Sequence, residues 1–385
     1  MNASAALARV VARAAEIDPA DWDACAGPGQ PFACHAFFRA LEESGSATAR
    51  AGWAPAHLVI DGADGRPAGI LPGYLKAHSR GEYVFDHGWA DAFARAGGRY
   101  YPKLQHATPF TPATAPKLLV RPDAPPGLAR MLILASMAFA REHGLSSAHA
   151  TFLPPEDREQ FAAAGWLERY DLQFHALDVP PDGFAGLLAQ CTSRRRKTLR
   201  REREQALAAV DKVVWLTGRD LTEAVWDAFF VFYMDTASRK WGQPYLTRAF
   251  FSLLGERMAD RILLVMARRG GRYVAGALNF IGADCLYGRN WGAIEDIPFL
   301  HFELCYHQAL DAAASLGLAR VEAGAQGQHK VSRGYRPVVT RSAHFLPDPG
   351  FRAAVARFLE HERAAVLREA VHFAECLPFR RAGEP

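Results

Sequence analysis

The chain has 385 residues and carries 45 Lys and Arg against 41 Asp and Glu, a formal net charge of +4. Hydrophobic residues make up 50% of it and charged residues 22%, which excludes a disordered or fibrous protein. Its cysteines show no CxxC spacing, which argues against a disulfide scaffold and a zinc finger. No apolar run approaches the roughly 20 residues that span a bilayer. Arginines interrupt the N-terminal segment before a secretory core can form, so we expect a cytoplasmic protein.

An internal repeat organises the predicted elements. Each half begins with a helix opening that contains Trp-Asp-Ala, continues through a hairpin with a glycine turn, and later has a helix closed by glycine before a strand. The matched residues are Trp22 and Trp226, Gly69 and Gly276, Trp89 and Trp291, and Gly144 and Gly317. The order strand, helix, hairpin, strand, helix, strand in both halves predicts two α/β domains, each with a mixed central sheet flanked by helices.

The boundary between the two predicted domains lies at VPPDGF, so the first covers 1–180 and the second 181–385. The first contains a proline-rich insertion around 94–128, which we expect to be an extended loop rather than helix. The second begins with a basic helix that starts at Thr192 or Ser193. It ends with an amphipathic helix over about 351–373, where apolar residues recur at helical spacing.

Positive charge is concentrated in the window 194–203. Only Glu202 is acidic there, whereas acids slightly outnumber bases in the rest of the chain. On a helix these basic side chains form two adjacent stripes, a broad cationic surface suited to a phosphate backbone. A solvated helix face, or contact with anionic lipid head groups, would explain the same pattern. The basic residues are Arg194, Arg195, Arg196, Lys197, Arg200, Arg201 and Arg203, and Arg239, Lys240 and Trp241 could extend the surface.

A loop rich in glycine, glutamine and cations follows a predicted strand that ends near Glu322. Loops at the carboxyl ends of strands are where open α/β sheets bind ligands. Lys330 and Arg333 could hold a phosphate or a carboxylate, or stabilise the oxyanion that forms when an amine attacks an ester. A surface turn with solvated charges is the alternative. The candidate residues are Glu322, Gln326, His329, Lys330, Arg333, Tyr335 and Arg336.

Polar residues also accompany two predicted strands that the repeat pairs. The second-half group is Tyr287, Arg289, Asn290 and Trp291, and the first half has Asp86 and His87 at the matching position. Asp86 and His87 could supply a general base for an incoming amine. Tyr101 and Lys103 could hold the acceptor that carries this amine. The tryptophans have a simpler explanation, because they more often pack into a core than bind a ligand.

The helix predicted after the second group carries His301, Glu303, Cys305 and His307 at every second position. This spacing puts His301 and Cys305 on one helix face and Glu303 and His307 on another. Side chains on different faces of one helix cannot surround a metal ion tetrahedrally, so no metal is predicted. We expect His301 or Glu303 to face a cleft and contact substrate, and Cys305 to be a buried apolar residue.

Six stretches spread over the chain resemble the Fem-like proteins, peptidoglycan-related aminoacyltransferases, and most closely their Gram-negative FemAB-like branch. They are GEYVFDHGWADAF at 81–93, GGRYYPKLQ at 97–105, SRKWGQPYL at 238–246, YGRNWGA at 287–293, FLHFELCYHQA at 299–309 and EAGAQGQHKVSRGYRP at 322–337. The resemblance implies two tandem acyltransferase domains of the GNAT superfamily. It also implies a lysine-containing loop close to a glycine that contacts substrate, and Lys330 occupies that position here.

The resemblance further implies transfer of an aminoacyl group from aminoacyl-tRNA to an amine, on a peptidoglycan-type peptide or a small molecule. The tRNA is then a co-substrate, and no cofactor is predicted. The pyrophosphate-binding loop of acetyl-CoA enzymes, (Arg/Gln)-x-x-Gly-x-(Gly/Ala), has no clean copy after a core strand in either half. Two alternatives stay open. One is an acyl-CoA-dependent N-acetyltransferase, and the other is a non-catalytic protein that binds cell-wall peptides or a membrane surface.

Overall fold

The computed structural model describes residues 8–241, 244–325 and 327–380, without the side chains of residues 237 and 239–241. The chain divides into two units, each with its own hydrophobic core. Unit 1 comprises Met1–Asp171 and Val339–Leu367, and unit 2 comprises Leu172–Val338 and Arg368–Pro385. Among the helices in these described ranges, none is both long enough and apolar enough to cross a membrane.

The elements up to the strand where unit 1 passes into unit 2 are β1 (Arg9–Val11), α1 (Pro19–Ala26), α2 (His35–Glu43), β2 (Trp53–Pro55), β3 (His57–Asp61), β4 (Pro67–Leu71), β5 (Tyr74–Lys76), α3 (His87–Arg95), β6 (Lys103–His106), β7 (Leu119–Val120), α4 (Leu128–Glu142), β8 (Ala148–Ala150), α5 (Pro155–Ala163) and β9 (Leu167–Ala176). The later elements are α6 (Gly183–Gln190), α7 (Ser193–Ala208), β10 (Lys212–Leu216), α8 (Glu223–Trp241), α9 (Arg248–Met258), β11 (Ile262–Arg269), β12 (Arg272–Ile281), β13 (Cys285–Ala293), α10 (Leu300–Phe302), α11 (Gln308–Ser315), β14 (Arg320–Glu322), β15 (Arg336–Phe345) and α12 (Pro349–Glu375). β9, β15 and α12 each contribute residues to both units.

Unit 1 contains two groups of paired strands. One has the order β1-β3-β4-β7 and is antiparallel throughout. In the other, β2, β5 and β6 pair antiparallel, β6 pairs parallel with β8, and β8 pairs antiparallel with the end of β15. Apolar side chains of α4 pack on β3 and β4. Gly69 of β4 allows this close approach, because a Cβ there would lie 2.6 Å from Cδ2 of Leu128 in α4.

An antiparallel meander of β10, β11, β12 and β13 forms most of the sheet in unit 2. β14 pairs parallel with β13 and antiparallel with the end of β9. A parallel pair needs a crossover, which the helical segment from α10 through α11 provides. Gly276 of β12 is the counterpart of Gly69, because a Cβ there would lie 2.9 Å from Cδ2 of Phe229 in α8. In both halves of the repeat, a helix therefore packs against a glycine of the hairpin.

The predicted α/β class, with mixed sheets flanked by helices, is confirmed. α7 begins at Ser193 as predicted, and α12 covers the predicted C-terminal helix. Gly144 and Gly317 follow α4 and α11 with φ of +59° and +67°. This left-handed conformation is the one in which a glycine ends a helix, as the repeat predicted.

Three placements differ from the sequence prediction. Trp89 lies in α3 and its repeat partner Trp291 in β13, so the two are not structurally equivalent. The segment 94–128 is not a loop throughout, because β6 and β7 form within it. The first part of α12 packs into unit 1 through Phe351 and Leu359, whereas the sequence prediction grouped this helix with the second domain. Helical spacing reveals an apolar face but not the core that it covers.

Candidate active site

The lysine loop predicted from the sequence follows the end of β14 in unit 2 and has both exposed and buried residues. After Gly324 the chain enters a 3-10 turn over Gln328–Arg333. Lys330 in that turn is 1% exposed, and its Nζ donates a hydrogen bond to the Gly324 carbonyl oxygen at 2.7 Å. Burial lowers the pKa of Lys330 to about 7. Lys330 is therefore not the solvated charge of a surface turn, and near neutral pH it populates both protonation states.

Arg333 anchors the far end of this loop. Its guanidinium carbon lies 3.3 Å from the centre of the Phe302 ring, and the side chain pairs with Glu202 of α7 at 2.7 Å. It also donates to the carbonyl oxygen of His329 at 3.0 Å. Burial lowers the pKa of Arg333, but a guanidinium stays charged near neutral pH. One buried cation thus joins the loop, α10 and α7.

The other predicted loop residues contact protein groups. Tyr335 is buried, and its hydroxyl donates to the Tyr306 carbonyl oxygen at 3.4 Å. The guanidinium of Arg336 lies 5.4 Å from the centre of the Phe379 ring. Glu322 is buried at the end of β14, opposite Tyr287 in the parallel strand pair. Gln326 lies outside the described residues.

The second-half strand group lies on β13, as predicted. Its members are the buried Tyr287 and the partly exposed Arg289, Asn290 and Trp291. The parallel pairing with β14 ends at Tyr287, although β13 continues to Ala293. Beyond the paired part, Gly288 faces the start of the lysine loop, where a Cβ on it would lie 3.5 Å from the Glu322 carbonyl oxygen. The loop that carries Lys330 thus begins where the two parallel strands cease to pair.

Four rings from β13, α10 and the loop lie next to one another. We call Trp291, His301, Phe302 and His329 the ring surface, because His329 is exposed and the other three are partly exposed. The ring centroids of Trp291 and His301 are 5.2 Å apart, and those of His301 and His329 are 5.9 Å apart. Phe302 lies 5.6 Å from His329. The buried Tyr306 holds His329 through a hydrogen bond of 2.8 Å between its hydroxyl and Nε2.

A cavity of about 270 Å³ adjoins the ring surface, and Trp291 and His301 form part of its wall. The other lining residues are Thr236, Ala293, Glu295, Asp296, Ile297 and Leu300. Glu295 pairs with Arg269 and Arg272 at 3.0 and 2.6 Å. The hydroxyl of Thr236 is buried and has no hydrogen-bond partner among the described residues. The lining of this cavity thus combines apolar side chains with carboxylate, imidazole and hydroxyl groups.

The structure separates the two residues that we expected to face a cleft. His301 lines the cavity, whereas Glu303 is completely buried. Glu303 accepts hydrogen bonds from His307 at 2.9 Å and from Gln308 at 2.7 Å. Arg203 of α7 lies 3.4 Å from the same carboxylate. Glu303 and His307 do share a face, as predicted, but a π-helical turn encloses them in an internal network, so a substrate contact by Glu303 is wrong for this structure.

The basic helix α7 has an inward and an outward side. Arg196 donates to the carbonyl oxygens of Leu188 and Cys191 at the end of α6, and Arg203 pairs with Asp311 at 2.7 Å. These two arginines therefore hold the fold rather than offer charge to a ligand, which corrects the sequence prediction. We call the exposed residues Arg194, Lys197, Arg200 and Arg201 the basic face, and none of them forms an ion pair with any residue that the structure describes.

In unit 1, Asp86 and His87 begin α3 rather than follow a strand, which corrects their predicted position. Lys103 of β6 is completely buried and pairs with Asp86, and with Glu82 at 2.7 Å. Tyr100 donates to Asp86 at 2.6 Å. Burial alone would raise the pKa of Asp86, but the ammonium of Lys103 outweighs it and lowers this pKa. Asp86 is therefore a weak proton acceptor near neutral pH.

The predicted acceptor residues of unit 1 are brought together through Ser79. Lys103 donates to the Ser79 hydroxyl at 2.9 Å, and this hydroxyl lies 2.8 Å from that of Tyr101. Tyr101 is partly exposed and can meet a ligand, whereas Lys103 is occupied by its buried partners. His87 is exposed and stacks on Phe85.

Sequence reasoning missed several partners of these groups. Glu82 and Tyr100 complete the network around Lys103, and Glu202 pairs with Arg333. Glu82 and Tyr100 do lie within the stretches GEYVFDHGWADAF and GGRYYPKLQ, so the family resemblance was the available signal. The side chains of Arg239, Lys240 and Trp241 lie outside the described part of the structure.

The sequence profile of the FemAB-like family, described as peptidoglycan biosynthesis and recognition, matches residues 13–381. The chain belongs to the FemAB-like family. The predicted family is thereby confirmed. No curated protein matches it significantly in sequence.

Solved structures show the fold of this FemAB-like chain. The C-terminal domain of a putative lysylphosphatidylglycerol synthetase from Agrobacterium fabrum matches it with a TM-score of 0.53 at 10% identity, over 90% of this chain and 96% of that one. FemX matches with a TM-score of 0.52 at 9% identity, over 88% and 98%. L-PGS from Bacillus licheniformis matches with a TM-score of 0.50 at 10% identity, over 86% and 98%. The chain therefore shares the fold of these three proteins.

Proposed function

We propose that this protein transfers an aminoacyl group from aminoacyl-tRNA to an amine acceptor, a peptidoglycan-type peptide or a small molecule. Membership of the FemAB-like family supports the transfer and its relation to peptidoglycan. The observation that carries the tRNA part is the basic face of α7, whose exposed cations have no carboxylate partner among the described residues. Like charges on neighbouring helical turns repel one another, and a phosphate backbone would neutralise them. Aminoacyl-tRNA is a cytoplasmic compound, so the proposal includes a cytoplasmic reaction.

The reaction breaks the ester bond between the aminoacyl carbonyl carbon and a ribose oxygen, and it forms an amide bond between that carbon and the acceptor nitrogen. Attack by the amine places negative charge on the carbonyl oxygen, the acceptor nitrogen loses a proton, and the ribose oxygen gains one. The Lys330 ammonium could donate a hydrogen bond to the oxyanion from its buried position. Its lowered pKa also allows a lysine in this position to exchange a proton near neutral pH.

We propose that residues of unit 1 bind the acceptor. Tyr101 is the residue proposed to contact it, because this residue is partly exposed and its hydroxyl is bonded to the network of Ser79, Lys103 and Asp86. Asp86 and Lys103 then position Tyr101 rather than touch the acceptor. His87, which is exposed, remains the proposed base of this group.

Parallel reactions with charged tRNA and with acyl-CoA, each supplied with candidate amines, test the donor. We expect loss of the aminoacyl group from tRNA only when both enzyme and amine are present, and no turnover of acyl-CoA. Charge reversal at Arg194 and Arg201 should raise the KM for tRNA, and matched reversal at the exposed Lys212 and Arg219 should not. Turnover with acyl-CoA and not with charged tRNA would contradict the proposal that aminoacyl-tRNA is the donor. Binding of a peptide or a lipid without any transfer would contradict the proposal that the protein is an enzyme.

A further inference from the structure

The segment 77–85 of unit 1 connects β5 to α3 and forms neither helix nor strand. We call this segment the strap. It packs closely at Gly81, where φ is +82° and a Cβ would lie 2.6 Å from Cδ1 of Phe110. Glu82 of the strap is buried and accepts a hydrogen bond from Lys103 of β6 at 2.7 Å. A close backbone approach and a buried carboxylate therefore hold the strap on unit 1.

Lys76 of β5 and Glu82 form a second, poorly satisfied ion pair beneath the strap. Lys76 Nζ lies 3.8 Å from Glu82 Oε1, beyond hydrogen-bond distance, and the two side chains are 0% and 1% exposed. This Nζ donates to the Arg80 carbonyl oxygen at 3.1 Å and lies 3.5 Å from the centre of the Trp53 ring. Glu82 Oε1 has no hydrogen-bond partner in the part of the chain that the structure describes. Charges buried in this way carry a desolvation cost that contact with water would remove.

We propose that the strap opens and closes over Lys76 and Glu82, and that the charges of this buried pair favour the open state near neutral pH. Opening brings both groups into water. Because the strap also carries Ser79, each opening separates the Ser79 hydroxyl from the Tyr101 hydroxyl, which lie 2.8 Å apart in the closed form. The strap is thus a conformational device of unit 1, and its opening does not depend on the reaction proposed above.

Protonation of the pair makes the opening depend on pH. Burial lowers the pKa of Lys76 to about 7 and raises that of Glu82 to about 7, whereas exposure to water returns them towards 10.5 and 4.5. Between pH 7 and 10.5 the open form holds a proton on Lys76 that the closed form lacks, so rising pH favours closure. Between pH 4.5 and 7 the closed form holds a proton on Glu82 that the open form lacks, so falling pH favours closure. The strap should therefore be open most often near pH 7.

The other groups that face the pair keep their charge near neutral pH. Burial opposes the charges of Asp86 and Lys103, but their mutual attraction outweighs it, which lowers the pKa of Asp86 and raises that of Lys103. Arg80 stays a cation. Burial raises the pKa of Tyr100 and Tyr101, so both stay neutral.

His78 of the strap behaves differently in acid. Burial lowers its pKa from 6.5, so its protonation favours opening as pH falls and opposes the effect of Glu82. The alkaline side of neutrality is therefore the cleaner range in which to follow Lys76.

Trypsin tests the strap in the full-length protein, because Arg80 is the one lysine or arginine in the segment 77–85. When opening is fast relative to cleavage, the cleavage rate follows the population of the open form. Cleavage after Arg80, relative to that of a peptide with the same sequence, should slow by up to about tenfold per pH unit from about pH 7 to about pH 9. Lys76→Met should slow it roughly tenfold or more at about pH 7 and remove this pH dependence, because the variant lacks the titrating ammonium. Gly81→Ala should speed it, because the added Cβ would meet Phe110.

Lys212→Met is the matched control, since it removes an exposed lysine of unit 2 and should leave cleavage after Arg80 unchanged. Cleavage after the exposed Arg219, recorded in the same digests, reports opening elsewhere and should respond to none of these variants. Circular dichroism confirms that the variants fold. Wild-type protein that resists cleavage after Arg80, or Lys76→Met cleaved at the wild-type rate with the wild-type pH profile, would overturn the proposal. Neither result bears on the proposed aminoacyl transfer.

Discussion

Lys330 is an ammonium group placed where an ammonium is costly. It is almost completely buried, and the partner that it contacts is a neutral carbonyl oxygen, that of Gly324. Removing a cation from water without an adjacent carboxylate favours its neutral form, which is why burial lowers the pKa of Lys330 to about 7. Groups with such perturbed pKa values occur disproportionately at functional sites.

Lys330→Met should lower kcat by roughly 100-fold, the scale observed when one oxyanion donor is lost. Methionine has a similar length and is apolar, so it can fill the buried site. The donating ammonium is present below pH 7 and is lost as pH rises through the pKa of about 7. The wild-type kcat should therefore fall above that pH, and the variant should lack this limb of the pH profile.

Lys212→Met is the control for that experiment, because Lys212 is an exposed lysine of the same unit. It should retain the wild-type kcat and the wild-type pH profile. If Lys330→Met also retained both, Lys330 would have no part in the reaction.

α7 has one side that contacts the rest of unit 2 and another that is exposed to solvent. Arg203 pairs with Asp311 at 2.7 Å, and its guanidinium lies 4.8 Å from the centre of the Phe184 ring. It also lies 3.4 Å from the buried carboxylate of Glu303. Arg201, two positions earlier, is exposed and has no ion-pair partner among the described residues. The same residue type is thus held by protein contacts at one position and exposed to solvent at another within one helical turn.

Arg203→Ala should lower the free energy of unfolding by about 2–3 kcal/mol, because it leaves the carboxylate of Glu303 buried without its cation. Arg201→Ala is the matched variant and should change it by less than about 0.5 kcal/mol. Urea denaturation monitored by circular dichroism measures the free energy of unfolding of both variants. Equal effects of the two substitutions would show that the inward contacts of Arg203 do not stabilise the fold.

The pairing of β8 with β15 places two histidines opposite each other. Nδ1 of His149 lies 2.6 Å from Nδ1 of His344, a hydrogen bond that needs one protonated and one unprotonated nitrogen. Burial lowers the pKa of His149 to about 3 and that of His344 well below its ordinary value of 6.5. Both imidazoles are therefore neutral in the folded protein at neutral pH.

This pair should make stability depend on pH. In the unfolded chain these histidines have a pKa of 6.5, so above that pH they are neutral in both the folded and the unfolded state. Below pH 6.5 they gain a proton in the unfolded state alone, so stability is lost as pH falls from 6.5 towards 3. Each histidine contributes up to about 1.4 kcal/mol per pH unit in this window. His149→Gln combined with His344→Gln should therefore reduce the slope of unfolding free energy against pH. The control is His143→Gln, which replaces an exposed histidine and should leave this slope unchanged. The same slope in the wild-type protein, the double variant and the control would contradict this explanation.

Across the whole molecule, the sequence predicted the features that depend on neighbouring residues. Helical spacing and a polar start located α7, and Gly144 and Gly317 marked the ends of α4 and α11. The repeat paired the glycines over which helices pack, Gly69 and Gly276. Each of these features is specified within a few residues of the position it describes, and periodicity and glycine conformation are local properties.

What could not be predicted depends on segments that are distant in sequence. The burial of Lys330 follows from the loop that continues β14, and Arg333 is held by Glu202 from a helix more than a hundred residues earlier. Lys103 was expected to meet a ligand, but Glu82 and Asp86 enclose it. Composition reveals charges, whereas only the tertiary structure shows which of them neutralise one another.

The proposed function is transfer of an aminoacyl group from tRNA to an amine with the help of Lys330 in unit 2. Single-turnover transfer of a labelled amino acid from charged tRNA to an amine acceptor tests it most directly, with the amide product identified by mass spectrometry. We expect the wild-type protein to form the amide product, and Lys330→Met to form it roughly 100-fold more slowly at saturating tRNA. We expect no product from acyl-CoA. Amide formation from acyl-CoA but not from charged tRNA, or an undiminished rate with Lys330→Met, would contradict it.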